Sequence, residues 1–556
     1  MTPSKKRFVW LLFFFFCAAE AGASDPAFPL PHDVAATAHP LASEAALEIF
    51  RKGGNAIDAA VAAAFALNVV EPQNSGMGGG GFMMIYLARA KEVVVLDYRE
   101  VAPAMADEEV FRKQSSQKGE AAAAVPGFLK GMAYALQHYG RLPLKDAMAP
   151  AVRLAEKGFP VSPILAKRMK ENEGCLGKYE SSKKIFFRDG RILKEGEEWS
   201  QQDLAKSFKA VASKGPSVFY EGEIARAIDR LMKEKNGLLR LQDLKNYTLK
   251  RREPLHLSYH GYDLALMPPP SAGGILISEM LQIIQDDPLQ KWGWASPREA
   301  HLLSEAMRVA FYDRARFLGD EDFVKVPKEE LVSPAHAKEW RSKMRLDRKI
   351  SERELENSSP VESRESHTTH ASFVDREGNV VAMTNSLNLL FGSCVIVPGT
   401  GILLNDHMDD FSIGREANAF GLAPGELNRM KPGKRPLSSM SPTLVFKAGR
   451  PVLALGSPGG PTILTNVFQV LINRIDHGFS LEQAVEKPKL NHQYLPDVLQ
   501  YETGYPETAR KALEKMGYRL EERKSWGNVQ AVEIDPVSGK VSGVSDPRGE
   551  GKVLFH

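Results

Sequence analysis

The feature that most constrains this chain is a threonine at the mouth of a strand, directly behind a stretch with no core-forming pattern. Residues 345–366 are polar and highly charged, include Pro360 and carry no apolar period, so they read as a loose linker. His367-Thr368-Thr369-His370-Ala371-Ser372-Phe373-Val374-Asp375 follows at once. From Ala371 the pattern turns β-like, breaks at Glu377-Gly378-Asn379 and resumes over 380–384, which predicts a hairpin.

That placement has a chemical use. If the peptide bond between His367 and Thr368 opens, Thr368 gains a free α-amine beside its hydroxyl, and the amine can serve as the base that activates the hydroxyl. An α-amine titrates near about 7.7 to 8.0, so a useful fraction is neutral near pH 7 without help from a histidine. The plainer reading of Thr368 and Thr369 is as β-formers at a strand start.

Thr368-Thr369-His370 is followed by Gly378-Asn379, Leu387-Asn388, Phe391-Gly392, Gly401-Ile402-Leu403-Leu404-Asn405 and Met408-Asp409-Asp410-Phe411. Further on come Lys434-Arg435-Pro436-Leu437-Ser438-Ser439-Met440-Ser441-Pro442-Thr443 and Gly456-Ser457-Pro458-Gly459-Gly460. This series resembles the small subunit of the γ-glutamyltranspeptidases, self-cleaving enzymes of the N-terminal nucleophile class. The resemblance continues upstream in the same order through His39-Pro40-Leu41-Ala42, Gly53-Gly54-Asn55-Ala56, Asp97-Tyr98-Arg99-Glu100, Val125-Pro126-Gly127 and Pro268-Pro269-Pro270-Ser271-Ala272-Gly273-Gly274.

The resemblance implies an α+β fold, a four-layer αββα sandwich of the N-terminal nucleophile hydrolase type. It implies cleavage at His367-Thr368 into a large chain, 24–367, and a small catalytic chain, 368–556, that stay together as a heterodimer. It also assigns roles. Thr368 is the nucleophile, Ser386 orients its amine or hydroxyl, and Gly459 and Gly460 supply the oxyanion hole. Arg99, Ser438 and Ser439 hold the substrate α-carboxylate, while Asn388 and Asp410 grip its α-ammonium. His407 departs from the pattern, because the family usually has glutamine or glutamate there; a protonated imidazole would repel the ammonium. Phe420 stands where some members carry a tyrosine that closes a lid. No metal or organic cofactor is required.

The same roles have plain chemical grounds. A planar guanidinium suits bidentate binding of a carboxylate, and a carboxylate is the natural partner of an ammonium. Consecutive glycines let backbone N–H groups face a developing alkoxide without side-chain obstruction. Taken singly, each of these residues also fits an ordinary structural polar group or turn.

At the start of the chain, Lys5-Lys6-Arg7, the apolar run 8–19 and Ala21-Gly22-Ala23 read as a secretory signal peptide over residues 1–23, and hence as a periplasmic or secreted protein. Its removal takes three basic residues and one acid from the 72 Lys+Arg and 69 Asp+Glu, leaving 69 and 68. That balance gives no electrostatic reason to expect nucleic acid or an anionic membrane as partner. Of the three cysteines only Cys175 and Cys394 remain after export, one in each half, and free thiols are expected.

Between these landmarks the chain reads largely as scaffold. Residues 43–52 predict a helix ending at Gly53-Gly54, Asn55 then caps an apolar helix over 56–70, and Ser296-Pro297-Arg298-Glu299 forms a capping box that opens another through 316. Gly76-Met77-Gly78-Gly79-Gly80-Gly81 follows a helix and opens a strand, the reverse of a phosphate-binding loop, so it predicts close backbone packing. The reaction expected is cleavage of a γ-glutamyl amide such as glutathione, with transfer of the acyl group to water or an amine. Two alternatives are an acylase acting on glutaryl side chains or poly-γ-glutamate, and an exported solute-binding protein.

Overall fold

Strands that bury both faces, rather than alternating between core and solvent, set the architecture. The computed structural model describes residues 30–351, 355 and 367–556; the signal-peptide reading and linker positions 352–354 and 356–366 lie outside the described residues. Seven strands form one antiparallel sheet in the order Lys552–Phe555, Val34–Thr37, His367–Val374, Val380–Asn388, Gly80–Leu87, Glu92–Asp97 and Lys250–Arg252. Six form a second, also antiparallel, in the order Val541–Ser545, Gln530–Ile534, Arg450–Gly456, Thr443–Lys447, Tyr262–Leu266 and Leu255–Tyr259.

The side-chain period of two distributes each sheet between different cores. Ala36, Met84 and Ala382 of the first sheet meet Leu444, Ala454 and Val532 of the second in one apolar layer. Their neighbours Ala35, Met83 and Val381 point the other way, into a core shared with the helices Ala56–Val70 and Leu144–Lys157. Val445, Leu453 and Ala531 likewise face the helices Gly273–Ile284, Pro297–Phe317 and Thr462–Ile475. Helix, sheet, sheet, helix is the four-layer order expected. Both sheets contain strands from each side of position 367, so neither half carries a complete sheet.

Local expectations hold with small shifts. Asn55 and Asp58 form a capping box on a helix whose fifteen residues are all buried. The expected 43–52 helix spans Pro40–Arg51. Ser296 Oγ accepts from Glu299 N, but the Glu299 carboxylate turns to Ala295 N at 2.5 Å instead of closing the box on Ser296. The glycine run packs as expected: a Cβ at Gly78, Gly79 or Gly81 would lie 2.1–2.2 Å from the carbonyl oxygens of Leu403, Ser386 and Thr384.

The expectation of free thiols is overturned. Cys175, on the short helix Glu173–Lys178, is disulfide-bonded to Cys394, with Cα atoms 6.1 Å apart across 219 residues of sequence. The pairing follows from the fold bringing that helix against the turn after Asn388, which no local pattern reveals.

Candidate active site

Thr368 owes its position to an irregularity in the hairpin. His367 pairs with Asn388 and Thr368 with Ser386, so Leu387 is an extra residue and the register shifts between His367 and Thr368. Such a bulge re-aims the side chain beside it. Thr368 Oγ1 lies 3.2 Å from Ser386 Oγ, which in turn accepts from Asn388 N at 2.8 Å. His370, two residues further along the strand, is no substitute base: burial pushes it down to about 3, and its ring is engaged by Thr384 Oγ1 at 2.8 Å and Ser372 Oγ at 3.1 Å.

On one side of Thr368 is a cavity of about 20 Å³, walled by Arg99, Asn388, His407, Asp410, Ser438, Ser439 and Gly460. That is room for about one water molecule. Arg99, 1% exposed, follows the strand Glu92–Asp97, and its Nη2 is ion-paired with Asp410 Oδ2. Arg99 Nε also donates to Pro436 O at 3.3 Å. In this state the two charges of the cavity neutralise each other. A zwitterionic amino-acid head carries the complementary pair, so it can take Arg99 with its carboxylate and Asp410 with its ammonium, separating the two without leaving either unpaired.

The supports of this cavity explain several other motifs. Asn428 Nδ2 donates to Asp410 O at 2.7 Å, and Asn388 Nδ2 to Asp406 O at 3.2 Å. Ser438 N donates to Pro270 O and Ser438 O accepts from Ala272 N, both at 2.8 Å, so the triple-proline turn buttresses the serine pair. His407 Nδ1 sits 2.9 Å from Glu100 Oε1, with both side chains buried. A proton on His407 would therefore be offset by Glu100, which removes much of the repulsion expected from the substitution at this position.

Gly459 and Gly460 stand at φ 131° and 54°, the region that favours glycine, and a Cβ on Gly459 would fall 2.2 Å from Thr462 Oγ1. Pro461 alone separates them from the helix Thr462–Ile475, whose N-terminus adds favourable potential for an anion. Gly460 borders the small cavity, while Gly459 borders a second and wider one of about 310 Å³; Thr368 and the buried Phe420 border both. Trp526 forms part of the wider wall, with Nε1 donating to Asn466 Oδ1 at 3.0 Å; Asn466 Nδ2 donates in turn to Ser457 Oγ, also at 3.0 Å.

The ten site residues expected from sequence, Thr368 among them, therefore all border one or other of these two cavities. Two others were not anticipated. Arg314, buried in the small cavity wall, is lowered to about 10 by burial, opposed by the nearby charge of Asp410. Glu71, in the wider wall, accepts from Thr369 Oγ1 at 2.8 Å and is raised to about 7 by burial. Neither belongs to a local motif; the only sequence signal for Glu71 is an acid closing an apolar helix. Among the described residues one group could supply three metal-ligand atoms within 4.8 Å, Glu279, Asp313 and His336. It belongs to the helical layer, and its 2.7 Å separation between His336 Nε2 and Asp313 Oδ2 is that of a hydrogen bond.

Comparison with known proteins gives concordant results. The Gamma-glutamyltranspeptidase family model matches residues 42–555. The chain is 39% identical over 516 residues to the glutathione hydrolase proenzyme of Escherichia coli (strain K12), covering 91% of this chain and 89% of that protein. Among solved structures it resembles a cephalosporin acylase from Bacillus halodurans, with a TM-score of 0.85, 28% identity and coverage of 98% and 99%. It also resembles the Helicobacter pylori gamma-glutamyltranspeptidase, with a TM-score of 0.56 and 39% identity over 58% of this chain and 93% of that chain.

Proposed function

This chain belongs to the γ-glutamyltranspeptidase family and is a glutathione hydrolase and γ-glutamyltransferase made as a proenzyme; we propose that Thr368 carries both its maturation and its turnover. In maturation, Thr368 Oγ attacks the His367 carbonyl carbon. The bond from that carbon to the Thr368 nitrogen breaks, leaving an ester and a free α-amine. Water then hydrolyses the ester, yielding a new carboxylate on His367 and restoring the hydroxyl. The products are a large chain, 24–367, and a small chain, 368–556, held as a heterodimer.

In turnover, the amine of Thr368 takes the proton from its own Oγ, which attacks the γ-carbonyl of the donor. The α-carboxylate rests on Arg99, Ser438 and Ser439, and the α-ammonium on Asp410 and Asn388. Charge developing on the carbonyl oxygen is met by the N–H groups of Gly459 and Gly460, where one such donor is worth about 2.7–4 kcal/mol of barrier. Collapse expels the amine, which leaves with the proton held by the Thr368 ammonium. The acyl-enzyme then passes its γ-glutamyl group to water or to an acceptor amine arriving through the wider cavity.

The observation that carries this reading is that Thr368 borders two unequal cavities, with the paired charges of an amino-acid clamp in one and open space in the other. Export to the periplasm or beyond the cell belongs to the same proposal and rests on residues 1–23. The decisive test is a reducing denaturing gel of purified protein: wild type gives two chains and Thr368→Ala one, and a wild type that is active yet uncut sinks the proposal.

A second reading, an acylase acting on glutaryl side chains, fits the likeness to a cephalosporin acylase over almost the whole chain, but the glutathione hydrolase relatives favour the first. A glutaryl group matches a γ-glutamyl group except for the α-ammonium. Faster turnover of a glutaryl anilide than of a γ-glutamyl anilide would establish that second reading.

A further inference from the structure

The turn that follows Asn388 is built in the small chain but held by the large one. Asn388, Phe391, Gly392 and Cys394 all adopt positive φ, of 87°, 58°, 49° and 63°, and three of these are not glycine. A backbone of this kind persists only where its surroundings hold it. Lys118 Nζ donates to Leu390 O at 3.1 Å and to Gly392 O at 2.8 Å. Gly119 N donates to Ser393 O at 2.9 Å, and Ser182 Oγ to Cys394 O at 2.7 Å. Phe391 N donates to Gln73 O at 3.0 Å. Every one of these partners precedes position 367, and so does Cys175, whose sulfur is bonded to that of Cys394.

We propose that the Cys175–Cys394 disulfide is a covalent tether between the two chains of the mature enzyme, fastening to the large chain the turn that carries Asn388. The proposal rests on the reading that the chain is cut between His367 and Thr368. It has no competing pairing, because the remaining cysteine, Cys17, lies within the expected leader. The bond forms when the two thiols lose two protons and two electrons to an external disulfide-type oxidant, a thiol oxidoreductase or an oxidised small thiol of the kind found in export compartments. Once folded, Cys394 is fully buried and Cys175 partly so. A thiol substrate or product of the enzyme thus has restricted access to the bond.

The test uses wild-type protein, blocked with an alkylating agent in denaturant and run with and without reductant. With reductant two chains are expected. Without it they should migrate as one band of the combined mass, with no thiol alkylated before reduction and one on each chain after it. Cys175→Ser should give two bands under both conditions. Two wild-type bands without reductant, or one free thiol per chain before reduction, overturn the tether while leaving the cleavage reading intact. A single band with reductant overturns cleavage itself, and the tether with it. The wild-type thiol count does not depend on the variant folding.

Discussion

Asp410 is where donor choice should be decided, because it is the carboxylate that both lines the small cavity and pairs with Arg99. Glu100 also approaches Arg99, at 3.4 Å, but it is turned toward His407. A charged hydrogen bond contributes about 1.5–3 kcal/mol, which corresponds to roughly 10- to 150-fold in kcat/KM. Asp410→Asn should therefore lower kcat/KM on a γ-glutamyl anilide by that factor and change a glutaryl anilide little; equal losses on both would show that Asp410 does not read the ammonium. Gly459→Ala tests the other end of the reaction. Its φ of 131° and the 2.2 Å approach to Thr462 Oγ1 leave no room for a Cβ without moving the amide. The expected result is a fall in kcat of about 10²–10³ with KM little altered, since the interaction develops only in the transition state. At this scale the sequence was readable residue by residue, through motifs that resemble a family. The contact between Arg99 and Asp410 was not, because 311 residues separate them and neither carries a sign of its partner. Glu71 and Arg314 stayed hidden for the same reason: an isolated charged residue becomes informative only when the fold buries it beside a reacting group.

The elements show a different limit. The β pattern over 380–384 marks the second strand of the hairpin, with Ser386 near its end, and the strand runs on to Asn388. Asn385, Ser386 and Asn388 look like loop residues, yet all three are buried in the ladder, where they give Thr368 and Thr369 polar neighbours. Rules based on apolar periodicity stop where an active site begins. The helical layer gives an element-scale prediction. His336, on the helix Pro334–Lys343, meets Asp313 and Glu279 from the helices Pro297–Phe317 and Gly273–Ile284, and Trp340 Nε1 also donates to Asp313 Oδ2 at 2.9 Å. Hydrogen bonds to Asp313 and then to Glu279 push His336 up to about 10 from 6.5. Burial likewise raises Glu279 well above the usual carboxylate range. Both shifts are upward, so the stabilisation is complete below the unfolded values and is lost as pH rises through the folded ones. Thermal melts of the wild type should therefore fall between pH 7 and pH 10. His336→Gln leaves buried carboxylate without its cation, costing about 1–3 kcal/mol near neutral pH, and the gap to wild type should narrow toward pH 10. A constant gap across that range would show that the histidine is uncharged.

For the whole molecule, the consequence of cleavage depends on how the halves are interleaved. In the seven-stranded sheet, Val34–Thr37 from the first half lies between Lys552–Phe555 from the second and the strand His367–Val374, which belongs to the second beyond His367; Gly80–Leu87 closes the other side of Val380–Asn388. The six-stranded sheet joins Tyr262–Leu266 to Thr443–Lys447 across the same boundary. A cut at position 367 thus leaves the native packing in place but changes the unfolded state, which becomes two chains unless something joins them. With the disulfide intact, unfolding is a one-molecule event and its midpoint is independent of concentration. Without it, refolding must also bring two chains together, and mass action enters the stability. Under conditions of reversible urea unfolding, a 100-fold dilution should leave the wild-type midpoint unchanged. The same dilution should cost processed Cys175→Ser about RT ln 100, or about 2.7 kcal/mol of apparent stability. The uncut Thr368→Ala protein carrying the same serine restores the covalent connection through the backbone, so its midpoint should again ignore dilution. If the processed Cys175→Ser enzyme proved equally insensitive, its halves would have to remain associated when unfolded, and the disulfide would add nothing to the cohesion of the mature molecule.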